Sequence, residues 1–346
     1  MEPIRGLDEL SRLVLERGRC ASCGACTGRC PYLVAFRGKT VMLDHCTVEH
    51  GRCFAYCPMT FFDPDEASRL VFNAPYREDR SIGFFREVTA SRAGDDAVAD
   101  AGQGGGTITA LMTTALQDGI IDCAVVTGTS PAEPYSQGIV ATSISEIAAC
   151  AGSRYIGAHS LGALKEALER GFQRIGVVGV SCQVKSLRKM ALYDLKHEDL
   201  QQRIRLVAGL FCNWAFTARE FVGFLRQEFG LNRVGKIHIP PPPANRLDVE
   251  TDQGVWEISL DRLRPLIQAA CGECTDMTSE FADLSVGMFE GRAGWNTLIT
   301  RTEAGEQIVR VAVEKGNLRI EEFPPGNLDH LMKASANKKK RGLDAA

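Results

Sequence analysis

Four closely spaced cysteines near the start of the chain have the spacing and residue type of metal-cluster ligands. They follow the pattern C-x2-C-x2-C-x3-C and are followed at once by Pro31. Two-residue gaps let a short loop curl around one corner of an iron–sulfur cubane, so that its thiolates converge. Zinc is the less favoured reading, because zinc sites usually combine two separate C-x2-C pairs. The run therefore predicts [4Fe–4S] ligation by Cys20, Cys23, Cys26 and Cys30.

A second, irregular cysteine group follows in the same segment. Cys53-x3-Cys57-Pro58 repeats the ending of the first run, and Cys46 precedes it. In paired motifs of this type the last cysteine of each run ligates the other cluster. The first cluster would then be held by Cys20, Cys23, Cys26 and Cys57, and the second by Cys30, Cys46 and Cys53.

The second cluster lacks one thiolate in this assignment. His50 lies three residues before Cys53, where the central cysteine of the motif would stand, and imidazole can replace thiolate on iron. His45 and Asp44 are weaker substitutes. The other possibilities are a three-iron cluster or no second cluster at all.

The length, composition and charge of the chain limit the classes of protein to which it could belong. The chain has 346 residues, enough for two or three domains, with 45% hydrophobic and 24% charged residues. A net charge of −3 makes nucleic acid or an anionic membrane surface an improbable main partner, and no apolar run is long enough to span a membrane. The start has no secretion signal, so thirteen cysteines predict a reducing, cytoplasmic compartment.

The hydrophobic patterns predict an α/β protein with additions at both ends. Residues 1–65 read as a leading helix and a small ferredoxin-like iron–sulfur module that ends in a turn or linker at 63–65. Short strands alternate with helices over 80–240, which predicts a largely parallel or mixed sheet. After the proline run at 240–243, residues 244–335 read as β-rich, and 336–346 as a frayed basic tail.

A glycine loop immediately precedes one of the predicted helices. The stretch GQGGGT over 102–107 would let a ligand approach the backbone, and the helix start offers unpaired N–H groups to an anion. A phosphate or a flavin edge would fit. The loop does not match the G-x-G-x-x-G fingerprint, because position 107 is threonine, so a plain flexible loop remains possible.

Further cysteines follow two predicted strands. Cys182 and Cys212 lie at strand ends, where ligands collect in open α/β sheets, and a later C-x2-C pair supplies Cys271 and Cys274. Each alone is more typical of packing, but together they could close a third cluster. Cys123 and Cys150 lie within apolar patterns and are predicted to belong to the core.

Several of these stretches together resemble the beta subunits of coenzyme F420 hydrogenases and dehydrogenases. The same family includes formate dehydrogenase beta subunits and ferredoxin-linked chlorophyll-pathway reductases such as 7-hydroxymethyl chlorophyll a reductase. The chain departs from the family pattern at Ser181, where proline is frequent, and at Arg154, where lysine is common. The matching segments are 102–111, 153–155, 179–189, 209–212, 271–287 and 294–302.

The resemblance implies an FAD-binding α/β domain that exchanges electrons with iron–sulfur clusters and hydride with an organic carrier such as coenzyme F420. Cys182, Cys212, Cys271 and Cys274 would hold the cluster nearest the flavin. A catalytic subunit of a hydrogenase, a formate dehydrogenase or another reductase, or a ferredoxin, would be the partner within a larger complex. The residues implied at the flavin are Gly104, Gly105, Gly106, Thr107, Ser153, Tyr155, Gln183 and Asp276.

Two other functions remain open from the sequence. The protein could be a standalone ferredoxin-dependent reductase of an organic, chlorophyll-type substrate, or an electron-transfer subunit without a substrate of its own. No catalytic acid or base is identified, because no Ser–His–Asp or paired-carboxylate arrangement stands out.

Overall fold

A large mixed sheet organises the computed structural model, which describes residues 4–129, 135–231, 236–240, 243–251 and 254–345. Its strand order is β13-β3-β12-β11-β7-β6-β4-β5. The strands in chain order are β1 Leu33–Phe36, β2 Lys39–Met42, β3 Glu87–Ala93, β4 Cys123–Thr129, β5 Ser136–Ala141, β6 Ile175–Val180, β7 Ile204–Leu210, β8 Ile237–His238, β9 Arg246–Thr251, β10 Gly254–Ser259, β11 Leu284–Met288, β12 Asn296–Thr300 and β13 Leu318–Glu322.

Helices flank this sheet and connect most of its strands. Two short segments have other geometry: a π-helical turn at Ser11–Leu15 and a 3-10 turn at Arg264–Leu266. The α-helices in chain order are α1 Leu7–Leu10, α2 Arg52–Ala55, α3 Pro64–Phe72, α4 Asp96–Ala101, α5 Thr107–Gln117, α6 Ile144–Ala149, α7 Gly162–Glu169, α8 Ser181–Tyr193, α9 Leu200–Arg203, α10 Ala218–Phe229, α11 Leu260–Leu263, α12 Ala269–Gly272, α13 Glu303–Glu314 and α14 Pro325–Ala345.

The centre of the sheet is parallel and its edges are antiparallel. Strands β11, β7, β6 and β4 run parallel, whereas β5, β12, β3 and β13 join them in antiparallel pairs. A central parallel strand is covered on both faces and therefore consists of apolar residues throughout. In β6 every residue from Ile175 to Gly179 is buried. The predicted α/β class with a mixed sheet is confirmed.

Each face of the sheet has its own hydrophobic core, because neighbouring residues of a strand point to opposite sides. On one face Val125 and Val177 pack with α7 and α8. On the other face Val126 and Val178 pack with α5 and α13. Cys123 is fully buried in the first of these cores, and Cys150 packs half-buried against the second, as predicted.

Two predictions about the later part of the chain were wrong. The segment 244–335 does not form one β-rich unit, because β11, β12 and β13 are inserted in the large sheet. Of the described strands in this segment, only β9 and β10 lie outside the large sheet, and they form a three-stranded antiparallel sheet with β8. The prolines at 241 and 242 lie outside the described residues.

The predicted basic tail is also wrong, and residues 63–65 form the capped start of α3 and not a linker. Residues 336–345 are the last turns of α14, and Lys338 within them is buried. Asp63 caps α3 by accepting hydrogen bonds from Asp65 N and Glu66 N, with Pro64 in the first helical position. Proline suits that position because its missing N–H would be unpaired there anyway.

The N-terminal cysteine segment is fixed to the sheet domain through α8. Lys189 is buried, and its Nζ donates to Cys57 O, Thr60 Oγ1 and Phe61 O at 2.6–2.7 Å. Ser186 Oγ donates to Tyr56 O at 2.5 Å. These contacts hold the loop that carries Cys57 against the helix that begins beside Cys182.

Replacing Lys189 with methionine should weaken this attachment. The apolar side chain keeps the volume but leaves three oxygens without their charged donor, which costs about 3 kcal/mol of unfolding free energy. Limited proteolysis of residues 1–65 and the denaturation midpoint of the holoprotein measure the effect. Lys165→Met, which removes a surface ion pair with Glu169, is the control and should change little. Equal behaviour of the two variants would contradict the assigned role.

Candidate functional site

A cavity of about 1190 Å³ opens at the carboxyl ends of the parallel strands. Ligands of open α/β sheets bind at this edge, and the volume is that of a pocket for a large cofactor. Its wall includes most residues that the sequence singles out as flavin or third-cluster contacts: Gly104, Gly106, Thr107, Ser153, Tyr155, Gln183, Asp276, Cys182, Cys212, Cys271 and Cys274.

Thiols from the first part of the chain form a group beside this cavity. Burial raises the pKa of the Cys23 thiol to about 12, and the nearby Cys57 and Cys20 add to the rise. The pKa of Cys26 is raised well above its usual value by burial, with further contributions from Cys23, Cys20 and Cys57. The structure therefore brings together the four side chains assigned to the first cluster. Thr40 Oγ1 lies 3.4 Å from Cys20 Sγ.

A second thiol group lies close to the first, since Cys53 influences the pKa of Cys26. Burial raises the pKa of Cys53 to about 11, with contributions from Cys30 and Cys46. His50 is exposed near this group, and its Nδ1 lies 2.6 Å from Ile4 O. His45, the weaker candidate, is largely exposed and lies 3.9 Å from Asp8.

The third group lies on the cavity wall. The pKa of Cys182 is raised well above its usual value by burial, and then by Cys23, Cys212, Cys274 and Cys271. Cys182 lies in the first turn of α8, Cys212 follows β7, and the other two come from α12 and the turn after it. Long-range folding is needed to bring these side chains together.

The three thiol groups form a series. Cys23 of the first group influences the pKa of Cys182 in the third, and Cys53 of the second influences the pKa of Cys26 in the first. In the part of the chain that the structure describes, no three His, Cys, Asp or Glu side chains converge closely enough for a single metal ion. Thiols that hold a cubane by its corners lie further apart than the ligands of one ion.

Two lysines lie close to the third group. Lys338 Nζ donates to Cys212 O at 2.6 Å. Burial opposes its charge, yet the pKa of Lys338 is raised because Cys274 and Cys212 are near. Lys185 lies one turn after Cys182 on α8, and burial lowers its pKa against the opposing effect of Cys274 and Cys57. This environment fits an anionic, thiolate-bound group.

The glycine loop is shaped by its own neighbours as well as by the cavity. Gly104, Gly105 and Gly106 have φ values of +150°, +128° and +71°. A Cβ on Gly105 would lie 2.6 Å from Gly294 O, and one on Gly106 would lie 2.4 Å from Val98 O. Gly105 O accepts from Ala93 N at 2.7 Å, so this residue faces the sheet.

The helix that follows the loop begins on the cavity wall. Thr107 is buried at the start of α5, and its hydroxyl lies 3.0 Å from Ser91 Oγ. Thr107 N donates to Asn296 Oδ1 at 3.4 Å. The close packing explains why glycines are needed, and the helix start leaves a site for an anion.

Three buried polar atoms on the cavity wall have neither a hydrogen-bond partner nor an ion-pair partner among the described residues. These are Gln103 Oε1, Arg154 Nε and Gln268 Oε1. Buried polar groups are normally paired, so unpaired ones that face a cavity indicate a polar ligand. Tyr155 lies between the first two, with φ +52°, and its hydroxyl accepts from Gln103 Nε2. Ser153 is exposed at the rim.

Gln183 and Asp276 shape the wall through bonds to the backbone. Gln183 Oε1 accepts from Val180 N at 3.0 Å, while its Nε2 donates to Ala158 O at 3.2 Å. The Asp276 carboxylate accepts from Thr278 N and Glu280 N, each at 3.0 Å. Both side chains thus hold the segments that carry the third thiol group.

A buried polar cluster that sequence reasoning missed lies on the same wall. Glu280 is 2% exposed, and its Oε2 accepts from Tyr76 OH at 2.9 Å. Lys339 Nζ lies 2.9 Å from Glu280 Oε1 and donates to Tyr76 OH at 2.8 Å. These residues are separated by up to 263 positions, so no sequence spacing indicates them.

Comparisons with known proteins agree with this architecture. Residues 88–165 match the family model for the N-terminal part of the coenzyme F420 hydrogenase/dehydrogenase beta subunit, and 172–325 match the model for its C-terminal part. Both the first cysteine segment and α14 beyond Pro325 lie outside these matches.

Individual relatives point the same way. Coenzyme F420 hydrogenase subunit beta of Methanothermobacter thermautotrophicus is 33% identical over 75% of this chain and 93% of that protein. A subunit of the F(420)H(2) dehydrogenase of Methanosarcina mazei is 27% identical over 94% of this chain and 91% of its own. Coenzyme F420-dependent sulfite reductase of Methanocaldococcus jannaschii is 30% identical over 90% of this chain, which spans only 48% of that relative.

A solved structure extends the likeness to three dimensions. A chain of the F420-reducing [NiFe] hydrogenase complex from Methanosarcina barkeri superposes with a TM-score of 0.71 at 29% identity. The superposition covers 78% of this chain and 93% of that one. The chain belongs to the family of coenzyme F420 hydrogenase/dehydrogenase beta subunits.

Proposed function

We propose that the protein is an FAD- and iron–sulfur-dependent oxidoreductase subunit that passes electrons between [4Fe–4S] clusters and a hydride carrier of the F420 type. The observation that carries the proposal is the series of three thiol groups, the last of which forms part of the wall of the cavity. Clusters carry single electrons, whereas a bound flavin exchanges either one electron or a hydride. A chain of thiol groups that ends at a large cavity supports coupling of these two kinds of chemistry.

Each thiol group has a proposed cluster. The first is held by Cys20, Cys23, Cys26 and Cys57, and the third by Cys182, Cys212, Cys271 and Cys274. The second uses Cys30, Cys46 and Cys53, with His50 as the fourth ligand. A hydrogen bond from His50 Nδ1 to Ile4 O would leave Nε2 with its lone pair available, which is the usual arrangement of a ligating imidazole.

The flavin is proposed to occupy the cavity between the glycine loop and the third thiol group. The start of α5 and the guanidinium of Arg154 would hold its phosphates, and the segment from Ser153 to Tyr155 would contact it. Arg154 is suited to this role because its buried Nε lacks a partner among the described residues. Gln183 and Asp276 orient the cavity wall, and burial by α14 limits the access of water.

Membership of a larger complex is part of the proposal. Several relatives are named as subunits of F420 hydrogenase or F420H2 dehydrogenase. The partner would be a catalytic subunit that exchanges single electrons with the second or first cluster. No helix in the described parts of the chain is both long and apolar enough to cross a membrane.

Anaerobic purification followed by analysis of iron, sulfide and flavin tests the proposal. We expect about twelve irons and one FAD per chain, since each cubane holds four irons. Chemically reduced protein should then reduce coenzyme F420. Arg154→Gln should lower the flavin content, and Arg170→Gln on the surface should leave it unchanged.

The other outcomes identify the alternatives. Reduction of a chlorophyll-type pigment without reduction of F420 would favour the standalone reductase. Clusters without flavin, even after reconstitution, would overturn both enzymatic assignments and leave an electron-transfer subunit. About eight irons would remove either the His50 cluster or the cluster on the cavity wall.

A further inference from the structure

The C-terminal helix places a lysine against the third thiol group. Lys338 is 2% exposed, and its Nζ donates to Cys212 O at 2.6 Å. The helix packs so closely here that a Cβ on Gly342 would lie 2.7 Å from Cys274 O. Ser335 Oγ donates to Ser81 O at 2.7 Å and fixes the preceding turn. The position of Lys338 is therefore set by packing on both sides.

A second lysine comes from another element, α8, three residues after Cys182, and lines the same cavity. Lys185 on α8 has its ammonium 4.8 Å from the centre of the Phe62 ring. Its charge is influenced by Cys274 and Cys182 of the third group and by Cys57 of the first. The thiols that influence the pKa of Lys338 all belong to the third group, namely Cys274, Cys212 and Cys271, and Asp276 acts in the same direction.

Neither lysine has a carboxylate oxygen within ion-pair distance among the residues that the structure describes. Asp276 is the acidic side chain that raises the pKa of both lysines. Its carboxylate accepts hydrogen bonds from backbone N–H groups. Arg19, which pairs with Glu273, and Lys189 are charged groups close to Cys57 of the first group. Burying an ammonium costs several kcal/mol unless a negative charge compensates it. In the proposed holoprotein the compensating charge is that of the cluster-bound thiolates, with a contribution from the Asp276 carboxylate.

We infer that Lys338 and Lys185 tune the reduction potential of the cluster next to the flavin. This inference rests on the proposed function. One-electron reduction adds one negative charge to a cluster and needs no proton, so a fixed cation nearby stabilises the reduced form. Lys338 raises the potential of the third cluster alone, whereas Lys185 raises those of the first and the third. Electrons are thereby drawn toward the flavin.

Redox titration of the anaerobic holoprotein, followed by electron paramagnetic resonance, tests the assignment. Lys338→Met keeps the shape and removes the charge, and it should lower one midpoint potential. At the wild-type midpoint potential we expect the ratio of reduced to oxidised cluster to be approximately tenfold smaller in the variant. For a one-electron couple this change corresponds to a potential lower by about 59 mV. Lys185→Met should lower two potentials. Lys333→Met, on the exposed side of the same helix, is the matched control and should lower none.

Iron analysis of each variant separates the possible failures. If wild-type protein has no cluster that depends on Cys182, the proposed function fails. If that cluster is present and Lys338→Met leaves its potential unchanged, the inference on the lysines is overturned while the function stands. If Lys338→Met loses iron, the test depends on Lys185→Met. Unchanged midpoint potentials of the first and third clusters in that variant would overturn the inference.

Discussion

Replacing Cys182 with alanine should remove about four irons per chain and leave about eight. Cys182 is enclosed by the other three thiols of its group and lies near Cys23 of the first. Without it, a cubane at this place would lose one of its four protein ligands. The first and second thiol groups keep all their members, so their clusters should assemble normally.

The same variant should separate the two halves of the reaction. Reduced F420 should still bleach the flavin, since hydride transfer takes place within the cavity. A one-electron acceptor such as a viologen should no longer be reduced at a comparable rate, because the path from the flavin to the first cluster is interrupted. Stopped-flow absorbance measures the first step, and steady-state viologen reduction measures the second.

Cys123→Ala is the matched control. Cys123 is fully buried in β4, and the charged groups that affect its pKa most after burial are Asp122 and Arg170 rather than other thiols. Its replacement removes a buried thiol without removing a proposed ligand. Equal iron content in Cys182→Ala and Cys123→Ala would refute a cluster on the cavity wall.

The sequence predicts those features of the site that depend on short-range spacing. The C-x2-C-x2-C-x3-C run indicates iron–sulfur ligation because its ligands come from one loop. The helix that starts at Thr107 is predicted from the glycines before it and the apolar period within it. The structure adds that Gly105 and Gly106 are also required by contacts with Gly294 and Val98.

Features that depend on distant parts of the chain were not predictable in this way. Strand β12 pairs with β3, more than 190 residues earlier, and no local pattern in the sequence indicates that the later strands join the large sheet. The run of lysines that includes Lys338 and Lys339 predicts solvated charges in a basic tail. Their burial follows from the packing of α14 over the third thiol group, and a run of lysines contains no signal of such packing.

Glu280→Gln should remove a pH dependence of stability that the wild-type protein has. Burial raises the pKa of Glu280 to about 7, and the nearby Asp276 adds to this, while Lys339 and Tyr76 act in the opposite direction. Arg301, which is fully buried, also faces this carboxyl. In the unfolded chain the carboxyl titrates at its ordinary value near 4.5.

The sign of the effect follows from proton binding. Between about pH 4.5 and pH 7 the folded protein keeps a proton that the unfolded chain has already released. The contribution of the protonated Glu280 carboxyl to stability is therefore fully present below pH 4.5 and is lost as the pH rises through 7. The difference between the folded and unfolded pKa values of Glu280 corresponds to about 3 kcal/mol of unfolding free energy. Glutamine cannot titrate, so the variant should lack this loss.

Urea unfolding at several pH values from 5 to 8 measures the effect as the difference in unfolding free energy between wild type and Glu280→Gln. This difference should shift against the wild type as the pH rises to 7, and should level off above it. Glu78, an exposed residue at the mouth of the cavity, provides the control through Glu78→Gln. Parallel curves for wild type and Glu280→Gln would mean that the carboxyl is ionised in the folded protein throughout this range.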